Sequence, residues 1–125
     1  MHIDPTPPQI EAFTATVDRP EPVFMLNLLR FKPGTGAESY GRYAAAVTEH
    51  LARVGGSVVW SGVCDDALIG PGAREWDVAA VVRYPSRAAF LEMVGDPAYQ
   101  AIVEHRTAGL EDSRLIPCGE APLGS

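Results

Sequence analysis

His105 and Arg106 stand side by side near the end of a helical run, and no other histidine in the chain adjoins a basic residue. At helical spacing Arg106 follows Tyr99 and Ile102 on one inward stripe, a costly place for a guanidinium unless a carboxylate or a ligand anion pairs with it. Asp77 and Glu111 are the intramolecular candidates. His105 titrates near neutral pH and suits general acid–base work, and Asp112, across Gly109, is placed to hold one tautomer of its ring. A structural use fits the pair better still, because basic groups in a last helical turn complement the dipole and cap carbonyls, and that account is sufficient alone.

Asn27 is the second candidate. It is the one amide in the apolar run Val23–Phe31, and a buried amide needs hydrogen-bond partners, either a ligand oxygen or a neighbouring backbone. Asp77, beside Trp76 at a strand start, is a third polar group able to act in a cleft or to pair with an arginine. Trp60, Trp76, Tyr40 and Tyr43 supply aromatic surface, as core packing or as the wall of a ligand cleft. This reading makes His105, Asn27 and Asp77 the catalytic candidates. Arg106, Trp60, Trp76 and Tyr43 are the substrate-binding candidates. Arg30 and Lys32 fall on the other face of their strand and are expected at a rim.

Other chemistries lack their signatures. His2, His50 and His105 have no metal-ligand spacing with an acid or thiol, so no metal site is expected. There is no P-loop, GxGxxG or GxSxG pattern, and no tightly bound cofactor is expected. Haem, with His105 or His50 as axial ligand, is a third and weaker reading. A net charge of −6 argues against a nucleic-acid partner. No apolar run reaches the ~18 residues of a membrane span. No basic-then-apolar leader is visible, so a cytoplasmic protein with Cys64 and Cys118 reduced is expected.

The elements that must position these residues follow from periodicity and breakers. Met1–Pro8 reads as an extended arm, Gln9–Val17 as a short helix, and Arg19-Pro20-Glu21-Pro22 as a break. Val23–Phe31 is a strand apolar on both faces, as in the middle of a covered sheet. Ala37–Val54 is the longest helix, stopped by Gly55-Gly56. Ser57–Ile69 is a long strand with a bulge or close approach at Gly62, turning at Gly70-Pro71-Gly72 into Glu75–Tyr84. Ser86 caps the next helix. Asp96-Pro97 restarts another that runs to Gly109, and Ser113–Cys118 is the last strand.

The order βαββαβ predicts an α+β, ferredoxin-like fold: a four-stranded antiparallel sheet with both helices on one face. The other face stays apolar and uncovered, which predicts a homodimer. Residues 1–21 are read as an N-terminal extension, 22–119 as the domain and 120–125 as a tail, with Gly124-Ser125 set aside.

The run Val23–Phe31, Tyr40-Gly41-Arg42-Tyr43, Gly55-Gly56 and Glu75-Trp76-Asp77 carry a family likeness. So do Arg83-Tyr84-Pro85-Ser86, Asp96-Pro97-Ala98-Tyr99-Gln100, His105-Arg106 and Glu111-Asp112-Ser113. Over about three quarters of its length the chain resembles the domain-of-unknown-function family 1330 of the dimeric α/β-barrel superfamily. The resemblance implies two ferredoxin-like subunits joining sheets into a barrel, and superfamily activities that include cofactor-independent oxygenation and isomerisation. Two functions are expected to compete. One is an enzyme without tightly bound cofactor, acting by proton transfer or oxygenation on a small aromatic or carbonyl-bearing metabolite. The other is a non-catalytic, small-ligand-binding or stress-associated dimer.

Overall fold

Prolines set where the first helix starts. In the computed structural model, which describes residues 1–121 and Leu123, α1 spans Pro7–Thr14. Thr6 caps it: its Oγ1 accepts the Gln9 N–H and Gln9 Oε1 accepts the Thr6 N–H, a reciprocal capping box. The helix therefore begins two positions before the expected Gln9, because Pro7 and Pro8 fill the positions where no N–H is needed.

After α1 come β1 (Val23–Phe31), α2 (Gly36–Arg53), β2 (Ser57–Val63), β3 (Val78–Tyr84), α3 (Arg87–Gly95), α4 (Pro97–Gln100), α5 (Val103–Gly109) and β4 (Leu110–Cys118). The sheet order is β2-β3-β1-β4, antiparallel throughout, so β1 and β3 are central. This is the ferredoxin-like α+β arrangement. It explains why β1 is apolar on both faces. Among the described residues no helix is long and apolar enough to cross a membrane.

Further boundaries, and one register detail, differ from the sequence reading. β2 ends at Val63, since β3 begins pairing at Val78 and the chain between leaves the sheet as a loop. Leu68 and Ile69 lie on that loop, 99% and 95% exposed. The register shift in β2 falls between Val58 and Trp60, not at Gly62. Gly62 instead lies under the Trp60 indole, where a Cβ would stand 2.7 Å from Cζ2. The helix expected from Pro97 to Gly109 is broken into α4 and α5 by a turn at Ala101-Ile102, and β4 starts at Leu110 rather than Ser113. Gly124 and Ser125 lie outside the described residues.

Helices cover one face of the sheet. Val23 and Met25 of β1 and Tyr84 of β3 meet Tyr43 and Leu51 of α2, Met93 of α3 and Tyr99 of α4 in the core. Alternation along β1 sends Phe24, Leu26 and Leu28 to the opposite face, paired with Arg83, Val81 and Ala79. Trp60, at 56% exposure, and Ile116, at 42%, also face that uncovered side.

Candidate functional site

A backbone crossing fixes the geometry of the site. Gly36 opens α2 and Gly109 closes α5, and a Cβ on Gly109 would lie 2.6 Å from the Gly36 carbonyl oxygen and 2.8 Å from the Tyr40 nitrogen. The Gly109 carbonyl also accepts the Lys32 N–H at 2.9 Å. Side chains cannot fit between these chains, so α2 and α5 are held at contact distance. Tyr40 and Tyr43 on one helix and Arg106 on the other then face the same volume.

That volume is a cavity of about 1420 Å³ between the sheet and the helices. Asn27 sits on its sheet side among apolar neighbours, opposite Ala80 on β3 and Leu115 on β4. Its Nδ2 donates to the Met25 carbonyl at 3.1 Å, and its Oδ1 has no protein donor among the described residues. Tyr40, Tyr43 and Tyr99 line the helical side. Their rings continue from Phe31 in a chain of contacts with centroids 5.4–6.1 Å apart.

The Tyr43 and Tyr99 hydroxyls are 2.8 Å apart. One phenol donates to the other, so one hydroxyl hydrogen of the pair is left for a ligand, strengthened by the bond behind it. Burial pushes the Tyr43 hydroxyl far above the ordinary phenol range, helped by Tyr99 and opposed by the charge of Arg106. Burial likewise raises Tyr40 and Tyr84. These phenols are neutral hydrogen-bond donors at physiological pH. His50 lies behind them, 4% exposed, edge-on to Tyr99 with ring centroids 6.1 Å apart, and its Nδ1 has no partner among the described residues.

The N-terminal arm forms one rim. Asp112 Oδ1 accepts the His2 N–H at 2.9 Å, Ser113 Oγ donates to the His2 carbonyl at 2.6 Å, and Arg106 Nη1 donates to the Ile3 carbonyl at 2.8 Å. The arm thereby runs along the β4 edge of the sheet and over to α5. The His2 N–H holds the Asp112 carboxyl down at about 2, against its partial desolvation, with Arg114 and the Ser113 N–H adding to the effect.

Of the residues singled out in the sequence, Asn27, Tyr43 and Arg106 are brought together around this cavity. Four are not. His105 is two residues from Val103 and one from Arg106, both lining residues, and that helical offset turns it away from the cavity. Asp77 accepts the Phe31 N–H at 2.8 Å and pairs with Arg74 at 3.1 Å, tying the end of β1 to the loop before β3. Trp60 is on the uncovered sheet face, and Trp76 lies under the guanidiniums of Arg30 and Arg114, at 5.9 and 5.1 Å.

The expected carboxylate partners are also elsewhere. Asp77 and Glu111 do not pair with Arg106, since Glu111 pairs with Arg30 at 3.4 Å. Asp112 holds the arm, Arg114 and Arg30 rather than His105. Sequence reasoning passed over the arm and Tyr99. The available signal for the arm was the Thr6–Gln9 capping box, which fixes its entry into α1. For Tyr99 it was its inward stripe position.

A ferredoxin-like α+β unit with a tyrosine-lined cavity between sheet and helices defines the class. Residues 33–117 match the domain of unknown function DUF1330, and the chain belongs to that family. It is similar to a crystal structure of a protein of unknown function from Rhodopseudomonas palustris, at 44% identity and a TM-score of 0.91, over 97% of this chain and 98% of that one. More distant likenesses share the fold. A NIPSNAP domain protein from Burkholderia xenovorans is 14% identical (TM-score 0.60, 82% of this chain, 98% of that one). A hydroxynitrile lyase from Passiflora edulis is 16% identical (TM-score 0.60, 82% and 96%). No curated protein matches the chain.

Proposed function

We propose that this protein binds a small, largely apolar, carbonyl-bearing metabolite in the cavity and stabilises negative charge on its oxygen, as a homodimer without a tightly held cofactor. The observation that carries this reading is the Tyr43–Tyr99 hydroxyl pair, set in an apolar and aromatic cavity with Asn27 and Arg106. Proton transfer next to a carbonyl and oxygenation of an electron-rich substrate share one need, donors on an enolate-like oxygen. Fixed donors in a water-poor site meet it. Protonated phenols suit that role, and the roles assigned to His105 and Asp77 are replaced by it.

The placement of His105 and Asp77 favours a second reading, a ligand-binding protein that does not turn its ligand over. Incubation with small aryl ketones in D₂O separates the two. Catalysis is expected to speed deuterium exchange at the carbon next to the carbonyl, with a loss of about 10²-fold or more in Tyr43→Phe and ligand binding retained. Binding without accelerated exchange would leave the second reading. Absence of binding by any member of the series would overturn both.

The uncovered sheet face supports the homodimer. Phe24, Leu26, Leu28, Val81, Ile116 and Trp60 form an apolar surface of the kind that pairs with a second copy.

A further inference from the structure

The charges around the cavity have the opposite sign to the protein. The chain carries 16 acidic residues against 10 basic ones. Yet among the described residues Arg19, Arg87, Arg106 and Arg114 border the cavity, with Asp4 as the one acidic residue in its lining. Three of these arginines are accounted for. Arg114 pairs with Asp112 at 2.9 Å, Arg87 stacks on Phe13 and donates to Thr16 Oγ1, and Arg19 is exposed.

Arg106 is different. It is half-buried on α5, and among the described residues it pairs with no carboxylate and stacks on no ring. Its one hydrogen bond to the described residues, through Nη1 to the Ile3 carbonyl, orients the guanidinium and leaves the rest of its fork without an acceptor among them. A partly desolvated cation with unused donors in an apolar cavity matches a planar anion with two oxygens. Arg106, Tyr40 and Tyr43 line the same cavity.

We infer that the ligand is a small organic acid, its carboxylate held by Arg106 beside the N-terminal arm and its apolar body lying along the tyrosines. This rests on the proposed binding of a small metabolite in the same cavity. It adds the sign and place of the ligand's charge.

The test is isothermal titration of the full chain with benzoate, phenylacetate and 3-phenylpropanoate, each beside its primary amide. The acids are expected to bind about 10- to 100-fold more tightly than the amides, the scale of a charged, forked hydrogen bond. Arg106→Gln is expected to abolish that preference and Arg106→Lys to restore it in part. Arg42→Gln makes the same charge change on the exposed side of α2, where Arg42 pairs with Glu38, and is expected to keep the preference. Amides binding as well as acids in the wild type would overturn the carboxylate inference and leave the cavity reading standing. So would an acid preference that survives Arg106→Gln. Failure of both series in the wild type would overturn both. The wild-type comparison decides even where Arg106→Gln does not fold.

Discussion

The Asp112 carboxylate accepts the backbone N–H of His2 at 2.9 Å, joining residues 110 positions apart. The arm at the cavity rim is therefore held by an ionised group. Asp112 also meets Arg114 at 2.9 Å and Arg30 at 3.6 Å, so one carboxylate gathers the arm and two arginines at the β4 end of the sheet.

This gives a pH dependence with a definite sign. The folded-state value of Asp112 is about 2, below the ordinary 3.8, so its contribution is fully present above the unfolded value and is lost as pH falls through 2. Asp112→Asn is expected to lower the melting temperature above pH 4, with the difference from wild type vanishing near pH 2. Hydrogen exchange at the His2 amide should speed up in the variant. A difference that is constant from pH 2 to 7 would show that the charge of Asp112 does not hold the arm.

The Gly36–Gly109 crossing predicts an intolerant glycine. Gly109→Ala places a methyl against backbone atoms of α2, which cannot rotate away, so a loss of about 2–3 kcal/mol is expected in urea unfolding. Gly41→Ala has nothing within 4 Å of the added carbon and sits inside the same helix, where alanine is favoured. It should be neutral or slightly stabilising. Equal effects at the two positions would mean that α2 and α5 are not in contact there.

The tyrosine pair predicts coupling and alkaline sensitivity. Tyr43→Phe and Tyr99→Phe each leave a hydroxyl without its partner and should cost about 1–2 kcal/mol, with the double variant losing less than the sum. The folded-state value of Tyr43 is raised, so its contribution holds below the unfolded value near 10 and is lost as pH rises beyond it. Absorbance titration should show phenolate at Tyr43 only as the chain unfolds. Early ionisation of Tyr43 in the folded protein would contradict a closed tyrosine pair.

Assembly is checked through the uncovered sheet face. Light scattering is expected to give twice the chain mass at micromolar concentration, for an interface of about 2,000 Å² or more in total. Leu26→Asp, in the middle of that face opposite Val81 and Ile116, should yield monomers or aggregates. A wild-type chain that stays monomeric and folded would remove the dimer from the functional reading.

The sequence by itself determined the element order, the antiparallel ferredoxin-like topology and the inward placement of Asn27, Tyr43 and Arg106. Those features rest on short-range rules: alternation along β1, the helical stripes of α2 and α5, and the Ser86 and Asp96 caps, whose side chains accept N–H groups of their own first turns. Only the tertiary structure decided who partners whom. His105 and Arg106 are adjacent, and helical geometry turns them to different faces. Arg106 meets Ile3 and Asp112 meets His2 across more than a hundred residues, through an arm whose local pattern says only that it is extended. Trp60 and Trp76 are as aromatic as Tyr40 and Tyr43, but strand parity and the loop before β3 send them away from the helices. Long-range pairing depends on how the elements are stacked, and the local residue pattern does not encode it.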